Sequence, residues 1–431
     1  MAKKDVVKVG LLGLGTVGYG VFKTLKLQED EMEKKLGCRV EIKKILVLRV
    51  ADFVDKVEDP SVLTDNADEI LTDPDIDIIV ELIGGTNAAY TFQKKALENG
   101  KHVVSANKDL VATKGHELIA LAAANGLDYN YEAAVAGAIP VIRPLKMCLA
   151  GNHITEILGI VNGTTNFILT KMTREGMSYA EALKIASDLG YAEANPTSDV
   201  EGLDAARKVA IMGTLAFHSD IRFDDVYKEG ITKLTEKDIA RAGELGYVIK
   251  LIGMDRLVDG EVEVCVYPML IPAEHMLAKV EDAFNAVFIH GDAVDDIMLY
   301  GRGAGEMPTA SAVVGDIFEV VRNINNGVTG KWDNNTYNNY PIRSIDEIKN
   351  KFFVRMTVSN EVGVLAKVIG LLAENHVGIA SISQEEMTEG ETSAEIVLTT
   401  EHVCEKFFFN SLEKLRGMDC VNEISSVIRV Y

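Results

Sequence analysis

A glycine-rich turn near the start of the chain constrains the fold more than any other feature. The run Gly13-Leu14-Gly15-Thr16-Val17-Gly18 directly follows the strand-like segment Val6–Leu12 and opens a helical pattern. Glycines at this spacing allow a tight turn, the approach of a pyrophosphate to the backbone and close helix–strand packing. The N–H groups at the start of the helix would face that anion. The turn therefore favours a dinucleotide site over a turn with no ligand.

Strands and helices alternate over residues 1–135, which predicts parallel βαβ units in a doubly wound, Rossmann-like nucleotide-binding domain. A helix near 307–322 is expected to complete this domain. The predicted strands are Val6–Leu12, Val40–Leu48, Ile76–Leu82, His102–Ser105 and Asp128–Glu132. The predicted helices run from Thr16 to about Lys35, up to Asn99-Gly100, and over Lys114–Asn125.

Length and composition predict several globular domains and exclude two classes of partner. The chain has 431 residues, of which 47% are hydrophobic, and its net charge of −21 argues against a general nucleic-acid or anionic-membrane binder. Five scattered cysteines without a CxxC pair indicate reduced thiols. We expect a cytoplasmic protein, because the start shows no signal-peptide core and no apolar run approaches the roughly 20 residues of a membrane span.

The predicted helices and strands become longer after residue 135. We expect an α+β catalytic and dimerisation domain over residues 136–306. The predicted helices are Ala138–Leu149, Thr164–Glu175, Ser178–Leu189 and Asp199–Phe217, and the predicted strands are His153–Val161 and Val262–Leu270. Residues 323–350 are predicted to be a linker, because Asn and Gly are frequent there and apolar periodicity is absent.

The tail, residues 352–431, is predicted to be a small separate domain. Its strands are expected at Phe352–Ser359, Ile379–Met387, Thr392–Thr399 and Val421–Val430, its helices at Val364–Asn375 and His402–Arg416, and a turn at Glu389-Gly390. The order βαββαβ is typical of a ferredoxin-like fold. Because such a sheet has exposed edges, we expect the tail to pair with the same unit of a second chain.

The residues after the second predicted strand bear on the choice of cofactor. NAD-binding proteins usually place a carboxylate there, whereas this chain has Arg49, followed by Asp52 and Lys56. A guanidinium suits the 2′-phosphate of NADP, although a solvated surface arginine is an equally good interpretation. Arg49 thus favours NADP over NAD as the cofactor, and NAD remains the alternative.

Two further segments follow strands of the predicted parallel sheet. Gly84-Gly85-Thr86 follows Ile76–Leu82, and Ser105-Ala106-Asn107-Lys108 ends the strand His102–Ser105. Ligands bind at the carboxyl ends of strands in open α/β sheets, so these segments are candidate cofactor contacts. By position alone, Lys108 fits a surface lysine equally well.

The densest group of polar residues lies between Tyr191 and Lys208. On a helix, Asp204 and Lys208 are four residues apart and share one face. One interpretation is a plain surface ion pair. The other is a partly buried pair, because the helix is apolar around much of its circumference. A buried lysine beside carboxylates is a candidate proton donor.

At these residues the sequence resembles the homoserine dehydrogenases over essentially its whole length. The motifs that carry the resemblance are GLGTVG at Gly13–Gly18, SANK at Ser105–Lys108, YEAAVAGAIP at Tyr131–Pro140, GIVNGTTNFIL at Gly159–Leu169, the stretch Gly190–Lys208 and GRGAGE at Gly301–Glu306. The tail resembles an ACT regulatory domain, with Asn360 where many such domains carry Asp. With no aspartokinase-like segment before Gly13, the chain resembles the monofunctional form.

The resemblance assigns roles to individual positions. It implies that Lys208 is the proton donor and Lys108 a second active-site lysine, and that Glu193 and Asp204 hold the substrate's amino group. It implies phosphate-loop contacts at Thr16 and Val17 and glycines near the nicotinamide at Gly190 and Gly305. With the positions argued above from the sequence pattern, the candidate cofactor contacts are Gly13, Gly15, Thr16, Val17, Gly18, Arg49, Gly84, Thr86, Ser105, Lys108, Gly190 and Gly305. It also implies a monovalent cation, sodium, held by the main-chain carbonyls of Glu132, Val135, Gly137 and Ile139.

The activity that this resemblance implies is the NAD(P)-dependent interconversion of L-homoserine and L-aspartate 4-semialdehyde. It further implies threonine as an effector bound through the ACT domain, and a homodimer or homotetramer. One alternative is a phosphorylating aspartate-semialdehyde dehydrogenase, which needs a thiolate such as that of Cys148. Another is a non-catalytic sensor that joins a dinucleotide domain to an effector domain.

Overall fold

The structure is a computed structural model that describes residues 3–330, 336–384 and 392–431. Its chain divides into two compact units, one of Met1–Ile157, Arg207–Asp225 and Asn285–Tyr340, the other of Leu158–Ala206, Val226–Phe284 and Pro341–Tyr431. The predicted turn at Glu389-Gly390, the end of the predicted strand before it and part of the predicted linker lie outside the described residues.

The helices and strands keep the predicted alternation at the start of the chain and in the tail. The helices are α1 (Thr16–Leu27), α2 (Glu29–Leu36), α3 (Asp68–Leu71), α4 (Asn87–Glu98), α5 (Lys108–Ala124), α6 (Gly163–Glu175), α7 (Tyr179–Asp188), α8 (Thr197–Val200), α9 (Leu203–Phe217), α10 (Glu236–Glu244), α11 (Glu306–Asn326), α12 (Val364–Glu374) and α13 (Glu405–Arg416). The strands are β1 (Val6–Leu12), β2 (Arg39–Leu46), β3 (Leu63–Thr64), β4 (Ile78–Glu81), β5 (His102–Ser105), β6 (Tyr129–Asn130), β7 (Ile154–Ile160), β8 (Tyr227–Lys228), β9 (Tyr247–Val258), β10 (Glu261–Pro272), β11 (Phe284–Gly291), β12 (Asp295–Arg302), β13 (Lys349–Ser359), β14 (Ile379–Gln384), β15 (Ser393–Thr400), β16 (Val403–Cys404) and β17 (Val421–Val430).

The first unit contains a parallel six-stranded sheet in the order β3-β2-β1-β4-β5-β6. This is the Rossmann order, with the switch point between β1 and β4, where ligands bind beyond the carboxyl ends of the strands. The helix α11 packs on α1, and its Val313, Ile317 and Val320 share one core with Val9 and Leu11 of β1. A helix from late in the chain thereby covers the first strand.

The second unit contains a sheet with the order β9-β10-β17-β13-β15-β14. The tail strands within it follow the ferredoxin-like order, and their core is formed by residues such as Phe352, Phe408 and Leu412. Fold class is therefore as predicted: a Rossmann-like sheet, a second α+β sheet and a C-terminal ACT domain.

The tail differs from the prediction in one respect. One edge of its sheet is covered within the chain, because β17 pairs in parallel with β10, at Met269–Arg429 and Leu270–Val430. Buried Arg355 adds an ion pair to Asp238 of α10 at 2.9 Å. The tail sheet is therefore continued by β10, and within the described part of the chain its β14 edge remains for a second chain.

Three predicted elements are shorter or broken in the structure. The predicted helix from Thr16 to Lys35 breaks at Gln28, between α1 and α2. The predicted helix Asp199–Phe217 is split by Gly202, whose φ of +78° belongs to the left-handed region. The predicted helix Ala138–Leu149 is shortened, because the chain is helical only over residues 142–148, and most of this piece is a π-helical turn at Pro144–Cys148. Proline at 140 and 144 removes N–H donors that a continuous helix needs.

A buried carboxyl group in β9 predicts how stability depends on pH. Asp255 is fully buried, and neither of its carboxylate oxygens has a hydrogen-bond partner among the described residues. Burial raises its pKa well above the ordinary value. Because the folded-state pKa is the higher one, the stabilisation from this group is complete below its unfolded pKa of about 3.9 and is lost as pH rises through the folded pKa.

We expect Asp255→Leu, which has nearly the same shape, to raise the free energy of unfolding at pH 7 by about 1–3 kcal/mol. The variant should also lose the fall in this free energy that begins as pH rises above the unfolded pKa of the carboxyl group. Denaturant unfolding from pH 5 to 9 measures both effects. Asp316→Leu is the matched control, because buried Asp316 is paired with Arg143 at 2.8 Å and its loss should destabilise. A loss of stability in Asp255→Leu would contradict this assignment.

Candidate active site

The glycine turn between β1 and α1 has the geometry of a phosphate cradle. Gly13 has a φ of +103°, and a Cβ there would lie 3.1 Å from the carbonyl oxygen of Leu82. A Cβ on Gly18 would lie 2.2 Å from the carbonyl oxygen of Gly13, so α1 needs glycine to approach the turn. A Cβ on Gly15 would meet nothing within 4 Å, which leaves open space in front of the helix.

The first turn of α1 suits an anion. It begins at Thr16 and Val17, and carries no acidic residue and no side-chain cap. Its N–H groups thus face the open space beside Gly15, as a bound pyrophosphate requires. The α11 N-cap, Gly305, has a φ of +123° and lies close by, because the next residue, Glu306, forms an ion pair with Lys23 of α1.

The end of β2 places Arg49 in solvent. The strand stops at Leu46, three residues earlier than the arginine, and the Arg49 side chain is 80% exposed. Its guanidinium contacts the Asp52 carboxylate at 2.8 Å. Arg49 is therefore accessible to an anionic ligand, but it already has a carboxylate partner.

The loops after β4 and β5 are joined by hydrogen bonds. Gly84 and Gly85 both adopt left-handed conformations. The Asn107 side chain donates to the carbonyl oxygen of Gly85 at 2.7 Å and accepts the N–H of Leu110 at 3.0 Å, which caps α5. Thr86 is the N-cap of α4, Ser105 ends β5 and half-buried Lys108 is the first residue of α5, so these candidate residues lie at one edge of the sheet.

The predicted cation segment is a tight, buried turn. The Glu132 carboxylate accepts N–H groups of Val141, Ile142 and Arg143 at 2.7–2.8 Å, so this side chain caps the next turn. Ala136 and Gly137 have consecutive left-handed φ values of 54° and 56°, which turn the backbone between the carbonyls of Val135 and Ile139.

A carboxylate or thiolate metal centre finds no support in the described ranges 3–330, 336–384 and 392–431. They contain no group of three or more His, Cys, Asp or Glu that could hold a metal. Any cation at the 132–139 turn would therefore be held by carbonyl oxygens, which suit hard cations.

In the second unit, Asn162 organises a pair of carboxylates. Its side-chain N–H groups donate to Asp199 at 2.7 Å and to Asp204 at 2.9 Å, while its amide oxygen accepts the N–H of Thr165 and caps α6. Asp204 is buried at the start of α9. Two carboxylates held by one amide form a negatively charged group that suits an ammonium ligand.

Glu193 and Gly190 lie in the loop before α8. Glu193 is exposed, and Gly190 has a φ of +76° with open space beside it. The Thr164 hydroxyl donates to the carbonyl oxygen of Tyr191 at 2.7 Å, which ties this loop to the start of α6. This hydrogen bond holds the loop against Thr164, which lies two residues after Asn162. The Glu193 carboxylate stays accessible.

Lys208 lies on α9 one helical turn after Asp204, as predicted. Its side chain is buried, with 8% exposed, so the interpretation as a plain surface ion pair is wrong. The next residue back, Arg207, forms an ion pair with Asp109 of α5 at 2.5 Å. That pair joins the Lys208 turn of α9 to the first turn of α5, which begins at Lys108.

Sequence reasoning gave no role to several residues of the site. Asn162 lay within a quoted motif, and its place between β7 and α6 is a helix N-cap signal. Glu81 ends β4 as a fully buried carboxylate. Each residue also bonds to side chains 12 or more residues away in sequence, and no local pattern could reveal those partners.

The Rossmann order, the glycine turn and the uncapped helix start define the class: a dinucleotide-binding oxidoreductase. Family models agree in detail. The NAD-binding domain of homoserine dehydrogenase matches residues 13–132, homoserine dehydrogenase itself matches 140–318, and the ACT domain matches 352–416.

Individual relatives extend the match to the full chain. The homoserine dehydrogenase of Bacillus subtilis is 44% identical over 98% of both chains. A crystal structure of a homoserine dehydrogenase from Thiobacillus denitrificans superposes with a TM-score of 0.95 at 38% identity, covering 100% of this chain and 99% of that one. A hyperthermophilic archaeal homoserine dehydrogenase in complex with NADPH has a TM-score of 0.61 at 26% identity, covering 73% and 97%.

The chain belongs to the homoserine dehydrogenase family. It is a nicotinamide-dependent oxidoreductase of amino-acid biosynthesis that carries an ACT domain. In the described part of the chain, no helix is both long and apolar enough to cross a membrane. Family membership also removes the alternative of a phosphorylating aspartate-semialdehyde dehydrogenase with Cys148 as nucleophile.

Proposed function

We propose that this protein interconverts L-homoserine and L-aspartate 4-semialdehyde, with reduction of the aldehyde as the biosynthetic direction toward threonine, methionine and isoleucine. The observation that carries the proposal is buried Lys208 one helical turn after an Asp204 held by Asn162. The balanced reaction is L-homoserine + NAD(P)⁺ ⇌ L-aspartate 4-semialdehyde + NAD(P)H + H⁺. Bound NAD(P) supplies the hydride acceptor or donor.

Lys208 acts as the proton donor to the substrate oxygen. Negative charge grows on that oxygen as the aldehyde is reduced, and a positioned ammonium group stabilises it and then transfers a proton. Burial of Lys208 supports this role, because an ammonium shielded from water interacts more strongly with a developing charge. In homoserine oxidation the neutral amine takes the proton back.

Asp204 and Glu193 hold the ammonium group of the substrate. Asp204 is oriented by the amide of Asn162, and Glu193 comes from an anchored loop with its carboxylate exposed. Lys108, at the start of α5, serves as a second active-site lysine near the substrate. This arrangement orients a zwitterionic amino acid so that its hydroxyl-bearing carbon, not its amino end, reaches Lys208.

The cofactor contacts proposed for this chain all lie in the first unit, except Gly190. The cradle beside Gly15 and the first turn of α1, at Thr16 and Val17, hold the pyrophosphate. Gly13 and Gly18 shape that turn, and Gly84, Thr86, Ser105 and Lys108 flank it at the carboxyl edge of the sheet. Gly190 and Gly305 approach the nicotinamide.

Arg49 favours NADP over NAD. We expect Arg49→Ala to raise KM for NADP⁺ by about tenfold and to leave KM for NAD⁺ within about twofold, because only NADP⁺ carries the 2′-phosphate. Asp52→Asn is the matched variant: it removes the competing carboxylate at 2.8 Å and should lower KM for NADP⁺. Equal effects of Arg49→Ala on both cofactors would contradict the assignment.

A sodium ion is held by the main-chain carbonyls of Glu132, Val135, Gly137 and Ile139. Support comes from the consecutive left-handed residues in this turn, which point successive carbonyls in different directions. The Glu132 carboxylate accepts three N–H groups and so fixes the turn that presents these carbonyls.

Threonine is the effector, bound through the ACT domain near Asn360–Leu365, and the assembly is a homodimer or homotetramer. The exposed β14 edge supports pairing of ACT domains between chains. The pairing of β17 with β10 supports coupling of the tail to the rest of its unit, and such coupling is typically worth about 1–3 kcal/mol.

Initial rates with homoserine and each cofactor test the proposal. They are measured in sodium and in potassium buffers, with and without threonine, alongside the mass of the assembly in solution. We expect NADPH to accumulate fastest with NADP⁺ and sodium, and threonine to reduce the rate. Cofactor binding without turnover of homoserine would favour the sensor and overturn the catalytic proposal.

A further inference from the structure

We propose that Glu81 is a positioning residue that holds the two loops after β4 and β5 in the conformation that binds the nicotinamide cofactor. This inference rests on the proposed function only for the identity of that ligand. Glu81 ends β4, and its register partner in β1 is Leu12, the residue before the glycine turn. It therefore lies at the switch point of the sheet, directly beside the phosphate cradle.

One oxygen of the Glu81 carboxylate shapes the loop after β4. Oε1 accepts the N–H of Ile83 at 2.9 Å and the N–H of Gly84 at 3.2 Å. These two donors belong to the segment that turns into left-handed Gly84 and Gly85. The carboxylate thereby stabilises a loop conformation in which consecutive N–H groups converge on one buried anion.

The other oxygen of the Glu81 carboxylate connects β4 to α4 and to the end of β5. Oε2 accepts the Gln93 side-chain N–H at 2.6 Å and the Ser105 hydroxyl at 3.0 Å. The Ser105 oxygen accepts the N–H of Asn107 at 3.1 Å, and Asn107 donates back to Gly85. Glu81, Ser105 and Asn107 thus connect the two loops by hydrogen bonds, and Asn107 directly precedes Lys108.

This hydrogen-bond network requires a side chain at position 81 that only accepts hydrogen bonds. All four groups that point at the Glu81 oxygens are donors. The Glu81 carboxylate accepts the Gln93 NH₂, which leaves the Gln93 amide oxygen to accept the Tyr129 hydroxyl at 2.6 Å. An ionised carboxylate accepts on both oxygens, whereas the NH₂ of a glutamine would face a donor in a buried site. Hence Glu81→Gln disrupts the loops with almost no change in volume.

The test measures cofactor affinity directly and needs no turnover. In Glu81→Gln we expect the Kd for NADPH, measured by fluorescence titration, to rise about tenfold, the effect of losing one charge-assisted hydrogen bond. KM for homoserine at saturating cofactor should stay within about twofold. If the chain proves unable to oxidise homoserine, the Kd still decides the role of Glu81.

Asp128→Asn is the matched control. Asp128 is also a buried carboxylate of this unit, but it precedes β6, at the opposite edge of the sheet, and accepts from Asn323 at 2.9 Å and Gly330 at 2.7 Å. The Asp128→Asn variant should have a lower melting temperature than the wild type and an unchanged Kd for NADPH. A folded Glu81→Gln variant with wild-type Kd, or an equal rise of Kd in Asp128→Asn, would overturn the proposal.

Ser105→Ala keeps the proposal testable if Glu81→Gln does not fold. The substitution removes one donor to Glu81 and the acceptor for Asn107, while the other three donors remain. We expect a Kd increase of about threefold with a small change in melting temperature. An unchanged Kd in this variant overturns the proposal on its own.

Discussion

Lys208→Ala is expected to lower kcat by about 10²–10⁴-fold, the contribution usual for a general acid. The physical reason is that the ammonium group interacts with charge that exists only in the transition state. The Kd for NADPH should stay within about twofold, because the proposed cofactor contacts do not include this side chain. Steady-state rates in both directions and a fluorescence titration of NADPH measure the two effects.

Lys101→Ala is the matched control for Lys208. Lys101 is equally buried, but its ammonium group donates to main-chain carbonyls of Asp73 and Ile76, and burial lowers its pKa. Its removal should reduce stability and leave kcat of the folded enzyme unchanged. If Lys208→Ala keeps more than about a tenth of the wild-type kcat, Lys208 is not the proton donor.

Arg429→Met should lower the free energy of unfolding of the second unit by about 3–5 kcal/mol, because it strands a buried charge. Arg429 is almost fully buried in β17, where its guanidinium forms a two-pronged ion pair with the Glu405 carboxylate at 2.6 and 2.8 Å. It also contacts Glu229 at 3.0 Å and lies over the ring of Tyr267. Glu405 is itself buried, so methionine would leave that carboxylate without its cation.

Arg416→Met provides the comparison. Arg416 forms an exposed ion pair with Glu413 on α13, and such pairs contribute little. Denaturant unfolding followed by tryptophan-independent probes, such as far-ultraviolet circular dichroism, measures both variants. Similar stabilities of Arg429→Met and Arg416→Met would show that the β10–β17 junction does not depend on the buried pair. A loss confined to Arg429→Met would show that the tail is joined energetically to β10.

Local sequence patterns predicted the Rossmann-like sheet of the first unit and the tail well. The glycine turn at Gly13–Gly18 and the strands β1 and β5 match their predicted bounds, because side-chain periodicity and glycine conformation act within a few residues. The same reasoning was right for only part of Ala138–Leu149, whose first four residues are not helical. There the Glu132 carboxylate and two prolines decide the backbone, and neither effect has a helical period.

Strands β9 to β12 were harder to predict. Only part of β10 was predicted, and β9, β11 and β12 were not. The long hairpin of β9 and β10 is buried along most of its length, so the alternation that marks a half-exposed strand is weak. In this hairpin, burial on both faces removes the polar positions by which a strand is recognised in sequence.

The sequence by itself determined the class of fold and the glycine turn at Gly13–Gly18. It also determined that Asp204 and Lys208, four residues apart, share one helix face. Tertiary structure alone decided that Lys208 is buried, that Asn162 orients Asp204, and that Glu81 joins the loops after β4 and β5. It also decided that β17 pairs with β10, more than 150 residues earlier in the chain. The physical reason is that helix periodicity and glycine turns are local properties. Burial and hydrogen-bond partners, in contrast, depend on which distant segments meet when the chain folds.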